Sequence, residues 1–378
     1  ERSNDGEPEI IPSPDASLKL RCTDYLQRKL LLSKSIVKHD KETQRLLGLA
    51  LPFTLSAVVD KVADLITLAI IAHYMGEDAM LAYVLVISSV AISESFMTGY
   101  VEALSSLGSM AYEAGNYELA GQYLQGSIII YVICEIPMIL IWGNVTDKLV
   151  LLLGFDESVS ALASSFVWVY MPILIMAGIN EAFLDFLDVV DRAVYANIMY
   201  CISSIVKLCI VAFFVIKMNA SLSLNYIGHL MLAFQIMFFF LNAFILYATG
   251  WLDEYQTGMF RKFALRNRPA MKTFFKTALP LSFGGLFVYA EWEILLVFAS
   301  ILGPAEAATW AILGFVWEVF ESTTEAIGDA AEVRCAYQLG KGRPGLAELS
   351  AYKSILMASV MSVYVTIVFV GLRNEIPA

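Results

Sequence analysis

Nine long apolar runs follow one another along this chain, near residues 46–72, 79–111, 118–142, 158–183, 193–217, 224–249, 274–302, 306–338 and 346–371. A hydrocarbon core about 30 Å thick is crossed by about 20 apolar residues of helix. Backbone in lipid must satisfy its own N–H and C=O groups, which a helix does within a single segment. The runs therefore predict an all-α, polytopic membrane protein. Composition agrees: 58% of the 378 residues are hydrophobic and 16% are charged, against roughly 45–50% and 25% in soluble domains.

The predicted organisation has four parts. Residues 1–45 form a cytoplasmic tail, 46–250 a first lobe of six spans, 251–273 a cytoplasmic linker, and 274–378 a partial second lobe of about three spans. Residues 1–17 are rich in Pro, Ser, Asp and Glu and read as disordered. Residues 18–45 set basic side chains among leucines. They suit either a helix on an anionic leaflet or a solvated basic tail. No hydrophobic signal core is visible in residues 1–44.

Orientation follows from the basic residues near the span ends. Arg261, Lys262, Arg266, Arg268, Lys272 and Lys276 cluster between spans six and seven, and Lys341 and Arg343 follow span eight. The odd-numbered loops carry at most one basic residue each, such as Lys148. Even-numbered loops and the N-terminus are thus expected inside. Sequons at Asn144 and Asn219 fall in loops 3–4 and 5–6, both expected outside, which makes them candidate glycosylation sites.

The sequence also repeats itself. Ala50-Leu51-Pro52 opens span one and Ala278-Leu279-Pro280 opens span seven. Gly76-Glu77 follows span one, and Gly303 with Glu306 follows span seven. Ala111-Tyr112 with Gly115 ends span two, and Ala336-Tyr337 with Gly340 ends span eight. Six spans separate the copies, so both enter the membrane from one side. That is a parallel repeat about an axis along the membrane normal, an arrangement that holds substrate between halves. The second copy stops after three spans, from which three further helices are expected.

The chemistry lies in intramembrane carboxylates. Span eight carries Glu318, Glu321, Glu325, Asp329 and Glu332 at steps of three and four, which places them on one helix face. At about 2.5–3.5 kcal/mol each at mid-bilayer, they must line water, pair with cations or hold protons. Glu94 and Glu102 lie nearly on one face of span two. Span one carries Asp60 and Asp64 with Lys61 beside them. Asp60 and Lys61 suit a local neutralising contact, and Asp64 is the deeper candidate. Asp185, Asp188 and Asp191 run into the 4–5 turn and suit a solvated turn as well as a site. Glu291 and Glu293 flank Trp292 in span seven and point different ways.

Carboxylates sharing a cavity titrate as a set. A cationic solute favours their ionised form and protonation expels it, which is the physical basis of proton/cation antiport. Trp292, Trp310 and Trp317 suit cation–π contacts or plain helix packing. His39, His73 and His229 form no constellation. The five cysteines show no metal or disulfide spacing. No nucleotide loop, nucleophile elbow or zinc motif is present, and a net charge of −11 disfavours nucleic acid. The expected partners are a small cationic solute and the lipid bilayer, with no cofactor.

Several segments resemble the multidrug and toxic compound extrusion (MATE) family in its eukaryotic form. Ala50-Leu51-Pro52 and Ala72-His73-Tyr-Met-Gly76 are similar to the family's ALP…VGHLG. Ala103-Leu104 through Gly115 resembles ALxTLCGQAYGAG, Tyr123-Leu124-Gln125-Gly-Ser127 resembles YLQRS, and Leu153-Gly154-Phe-Asp156 resembles LGQDP. Trp292-Glu293-Ile294-Leu295 is similar to the end of EWWSFEIL, and Trp310 through Trp317 to WAILLNVW. Gly328 through Arg343-Pro344 resembles GISAAASVRVGNALGAGRP. The resemblance covers about Leu46 to Lys353.

It implies an antiporter with two bundles around a V-shaped cavity, driven by H⁺ or Na⁺, in the plasma or vacuolar membrane. The second glutamate of EWWSFE falls on Glu293. The first falls on Val288, with Glu291 one turn along as a substitute. Ser109-Met110 replaces the family's Gly-Gln, and the eighth span is unusually acidic. The substrate- and proton-binding set expected from residues and resemblance together is Glu293, Glu291, Glu318, Glu321, Glu325, Asp329, Glu94 and Asp64. A truncated, non-transporting or regulatory relative is the alternative. A lipid-linked precursor flippase fits less well, because a carboxylate stripe repels anionic head groups.

Overall fold

The computed structural model describes residues 35–218 and 223–372. Nine long helices stand among the described residues: α1 Lys41–Met75, α2 Glu77–Glu113, α3 Tyr117–Leu152, α4 Glu157–Val189, α5 Ala193–Met218, α6 Leu224–Thr249, α7 Arg268–Leu302, α8 Pro304–Gly340 and α9 Pro344–Leu372. Most of the tail, and Asn219 with its sequon, lie outside the described residues. Seven of the helices are long and apolar enough to cross a membrane. The other two, α1 and α8, have the length but carry the charges. The chain is an integral, multi-pass helical membrane protein.

Several helices start where a side chain takes one of the first free N–H groups. Asp40 accepts from the Thr43 N–H, Asn116 from Leu119, and Asn267 from Ala270. Glycines end the paired spans. Gly76 (φ 93°) is the single residue between α1 and α2, and Gly303 (φ 156°) the single residue between α7 and α8. Gly115 (φ 74°) and Gly342 (φ 70°) follow α2 and α8 at the same separation along the chain. The repeat is thus written in the backbone as well as in the side chains. The proline that opens each copy, Pro52 or Pro280, lies within a helix.

Two sequence boundaries move. α3 runs to Leu152 rather than ending near 142, so the Asn144 sequon is helical and not in a loop. Asn144 Nδ2 donates to the Leu140 carbonyl at 2.7 Å, and the Thr146 side chain is buried with its hydroxyl on the Trp142 carbonyl. α7 starts at Arg268, inside the expected 251–273 linker. The rest of that linker is three short turns laid against α3. Gln125 Nε2 donates to the Met259 carbonyl at 2.6 Å, and Asn267 Nδ2 donates to Gln122 Oε1 at 2.6 Å.

The first helix of each copy packs against the second helix of the other: α1 on α8, and α2 on α7. At the α2–α7 crossing the backbones nearly touch. A Cβ on Gly99 would lie 2.3 Å from the Ser282 nitrogen. Close approach of this kind is how helices associate where lipid removes the hydrophobic drive. Two apolar clusters sit at different heights. One gathers Met97, Leu104, Leu124, Phe186 and Phe274, and the other Ile71, Val86, Phe166, Leu296 and Phe315.

Candidate functional site

At mid-height α1 carries Asp60, Lys61 and Asp64 in under two turns. Adjacent positions on a helix point about 100° apart, so these charges face different neighbours. Lys61 Nζ reaches Glu318 Oε2 of α8 at 2.9 Å, across the boundary between the lobes. Asp64 and Asp60 face α5, where Lys207 Nζ lies 2.8 Å from Asp64 Oδ1 and 3.6 Å from Asp60 Oδ1. Ser204 Oγ donates to Asp60 at 2.6 Å. The expected Asp60–Lys61 neutralisation is therefore replaced by two partners on other helices.

The acidic face of α8 turns toward the first lobe. Glu318 meets Lys61, and Glu332 Oε1 accepts from Ser106 Oγ of α2 at 2.5 Å. Glu102 of α2 lies within electrostatic reach of Glu325 and Glu332, and Glu321 within reach of Glu318 and Glu325. Asp329 lies near Glu325 and Glu332 on its own helix. Glu325 and Asp329 are exposed, whereas Glu318, Glu321 and Glu332 are half-buried. Glu94 is half-buried on α2, within reach of Lys61, Glu318 and Asp64.

On α7, Glu293 is half-buried within reach of Glu318. Glu291 is exposed, on the outward side that also shows Phe287, Val288, Ile294 and Phe298. One of the two expected α7 carboxylates thus joins the group and the other turns away. The Trp292 ring lies against those of Trp310 and Trp317, with centroids 5.1 and 6.1 Å apart and each pair tilted by 32°. A surface depression lined by Leu302, Glu306 and Trp310 opens where α7 meets α8, apart from the α8 carboxylates at Glu318 and beyond.

The α4 aspartates divide. Asp191 is exposed at φ 64° in the turn. Asp185 and Asp188 belong to the helix, which continues to Val189. Tyr200 Oη donates to Asp185 at 2.9 Å, and Asp188 Oδ1 is buried without a hydrogen-bond partner. Both lie within reach of Asp329. The solvated-turn reading holds for Asp191 alone.

Sequence reasoning passed over three residues here. Glu181 on α4 lies within reach of Asp185, Glu94 and Glu102. Glu135 on α3 is 1% exposed with both carboxyl oxygens unpartnered. Lys207 pairs with Asp60 and Asp64. A charged side chain inside an apolar run was the available signal for each.

Charged side chains gathered among long apolar helices, where two repeated lobes meet, define a class: a helical membrane transporter with most of its intramembrane charges facing other helices. The MatE family model matches residues 52–214 and again 280–377, so its two matched stretches begin at the prolines that open the two copies. The chain belongs to that family. It is 24% identical over 354 residues to Protein DETOXIFICATION 17 of Arabidopsis thaliana, covering 90% of this chain and 70% of that one. It is 23% identical over 338 residues to the uncharacterized transporter C4B3.13 of Schizosaccharomyces pombe, covering 88% of this chain and 61% of the relative. The fold matches a crystal structure of the eukaryotic MATE transporter AtDTX14 with TM-score 0.77 at 20% identity, over 88% of this chain and 73% of that one.

Proposed function

We propose that the chain exchanges small organic cations for protons through the acidic groups between its lobes. The observation that carries this is the orientation of α8: its carboxylates face α1 and α2, and Glu318 already holds an ammonium, that of Lys61 at 2.9 Å. A surface that binds one cation across the lobe boundary is chemically fit to bind another. Glu293, Glu318, Glu321, Glu325 and Asp329 supply negative charge on the second-lobe side, and Glu94 and Asp64 on the first. Glu291 lies outside this group and is left out of the proposed site. Protonation neutralises such a set collectively, because each proton bound alters the affinity of its neighbours for the next.

The test uses the full chain in proteoliposomes with tetraphenylphosphonium as the cation and an imposed pH gradient. The reading expects gradient-driven accumulation that Glu293→Gln removes while leaving incorporation unchanged. Accumulation that ignores the gradient, or full exchange by the variant, refutes it.

A further inference from the structure

The segment that joins the two lobes does not loop out from the bundle but lies along the start of α3. Gln125 Nε2 donates to the Met259 carbonyl at 2.6 Å, and Gln125 Oε1 accepts from the Ala264 N–H. Asn267 Nδ2 donates to Gln122 Oε1 at 2.6 Å, and Lys262 Nζ pairs with Glu118 at 2.7 Å. The backbones close up at two glycines. A Cβ on Gly121 would lie 2.6 Å from the Tyr255 carbonyl oxygen, and one on Gly258 would strike the Glu118 carbonyl. Glu118 to Gln125 is about two turns of helix, so the segment is held flat at the level where that span begins.

Two kinds of side chain are left on the outside. Phe260 and Phe263 are 74% and 55% exposed. Arg261 and Arg266 are interspersed with them, and Arg268, Lys272 and Lys276 follow at steps of four, hence on one face of α7. All five cations are exposed, and none is in an ion pair among the described residues. No Asp or Glu occurs from Tyr255 to Ala290, in a chain whose net charge is −11. Next on the same face of α7 come Leu279 and Phe283, both exposed, so basic side chains give way to apolar ones along the helix. We propose that the 260–268 segment and the start of α7 dock anionic phospholipids of the cytoplasmic leaflet, with phosphates against the five cations and acyl chains along Phe260, Phe263 and Leu279.

The rule that orients a membrane protein asks for basic residues on the inner side. It is indifferent to phenylalanines beside them and to how the segment is held. Attraction to a charged leaflet fades within a Debye length, about 8 Å at physiological salt. A loop standing off in water would lose it, whereas a segment tied to the first turns of a span stays within range. Charge and apolar contact together make the two signals that lasting attachment to a membrane surface takes. Because hydrogen bonds to α3 already order the segment, docking freezes little further motion. A soluble acidic protein fits this surface less well, since the bilayer itself lies at the level of the phenylalanines. This assignment concerns lipid binding and stands whether or not the proposed exchange of organic cations is correct.

The experiment reads binding and not transport. Purified full-length chain is washed free of lipid in detergent and titrated with phosphatidylserine or phosphatidylcholine in mixed micelles, with retained lipid read by native mass spectrometry. Wild type is expected to hold phosphatidylserine about tenfold or more tightly than phosphatidylcholine, by a margin that shrinks as salt is raised. Each basic residue near an anionic surface contributes about fivefold. Arg261→Gln/Arg266→Gln/Lys272→Gln should therefore lose the preference, and Arg261→Lys/Arg266→Lys/Lys272→Arg should keep it. Phe260→Ser/Phe263→Ser should weaken phosphatidylserine binding with the charges intact, and Lys148→Gln, at the other end of α3, should leave it unchanged. Equal retention of the two lipids by wild type overturns the proposal, a comparison that needs no variant to fold. So does an undiminished preference in the folded triple glutamine variant. Inositol hexakisphosphate, which has no acyl chains, should compete weakly; displacement of phosphatidylserine by an equal concentration of it overturns the leaflet as the occupant.

Discussion

Arg334 donates through Nε and Nη2 to the two carboxyl oxygens of Glu42, at 2.6 and 2.7 Å. Both side chains are under 9% exposed, and Ser350 Oγ adds a third bond to Glu42 at 2.6 Å. One turn away, Lys353 donates to Asp40 Oδ1 at 2.6 Å and to the Lys38 carbonyl at 3.0 Å. Lys341 pairs with Glu113 at 3.3 Å. These bonds tie the start of α1 and the end of α2 to α8 and α9 at the end of the bundle where the basic loops gather.

Removing one partner of a buried, bidentate pair leaves the other charge uncompensated, at a cost of about 3–5 kcal/mol. Arg334→Ala should therefore lower the unfolding midpoint in detergent strongly. Arg334→Met combined with Glu42→Gln should recover much of the loss, since neither buried charge remains. A single variant as stable as wild type would show that the pair contributes nothing.

The same end of the bundle should be acid-sensitive. Burial alone raises the carboxyls of Asp40 and Glu42, but hydrogen bonds from Lys353 and Thr43 on Asp40, and from Arg334 and Ser350 on Glu42, outweigh it. Both carboxyls sit below their ordinary values of 3.8 and 4.5. An acid with a depressed folded-state value contributes stability above its unfolded value and loses it as pH falls through the folded one. Melting temperature should hold at neutral pH and fall on acidification below about pH 4, the ordinary carboxylate range. Asp40→Asn with Glu42→Gln should flatten that acid limb. An identical limb in wild type and variant would contradict the assignment.

Gly99 lies where α2 and α7 nearly touch, with the Ser282 backbone 2.3 Å from where a Cβ would stand. Backbone cannot rotate away as a long side chain can. Gly99→Ala should cost about 1–3 kcal/mol through overpacking. Loss of a cysteine cross-link between Ser95 and Gly285 positions, which also approach closely, would report the separation directly. Gly284→Ala, where the added carbon would meet nothing within 4 Å beyond its own stretch of helix backbone, is the matched control and should change little.

Asn144 should carry no glycan. Its side chain is turned back onto the helix at Leu140, and the Thr146 hydroxyl that a sequon requires is fully buried. Expression in a glycosylating host followed by glycosidase digestion should leave the mass contribution of this position unchanged in Asn144→Gln. A mobility difference between the two would mean that α3 ends earlier than Leu152.

Much of the architecture was legible from the primary structure because the bilayer imposes it. Any span must be a helix of apolar residues, so nine such runs, the basic loops between them and the paired Ala-Leu-Pro openings led directly to nine helices in two copies. Boundaries differ where polarity misleads: Asn144, Thr146, Asp147 and Lys148 look like a loop, yet they continue α3 beyond the apolar run.

The pairing of charges was not legible, because a helix face is known from spacing but its neighbour is not. Asp60 and Lys61 are adjacent in the chain and answer to different helices, α5 and α8. Glu291 and Glu293 differ by two positions, which is enough to turn one away from the group and the other toward Glu318. Lys207 was passed over in the sequence, and only folding brought it between two carboxylates. Periodicity is a property of one segment and can be read along it, whereas an ion pair exists only when two segments far apart in sequence come within a few ångströms.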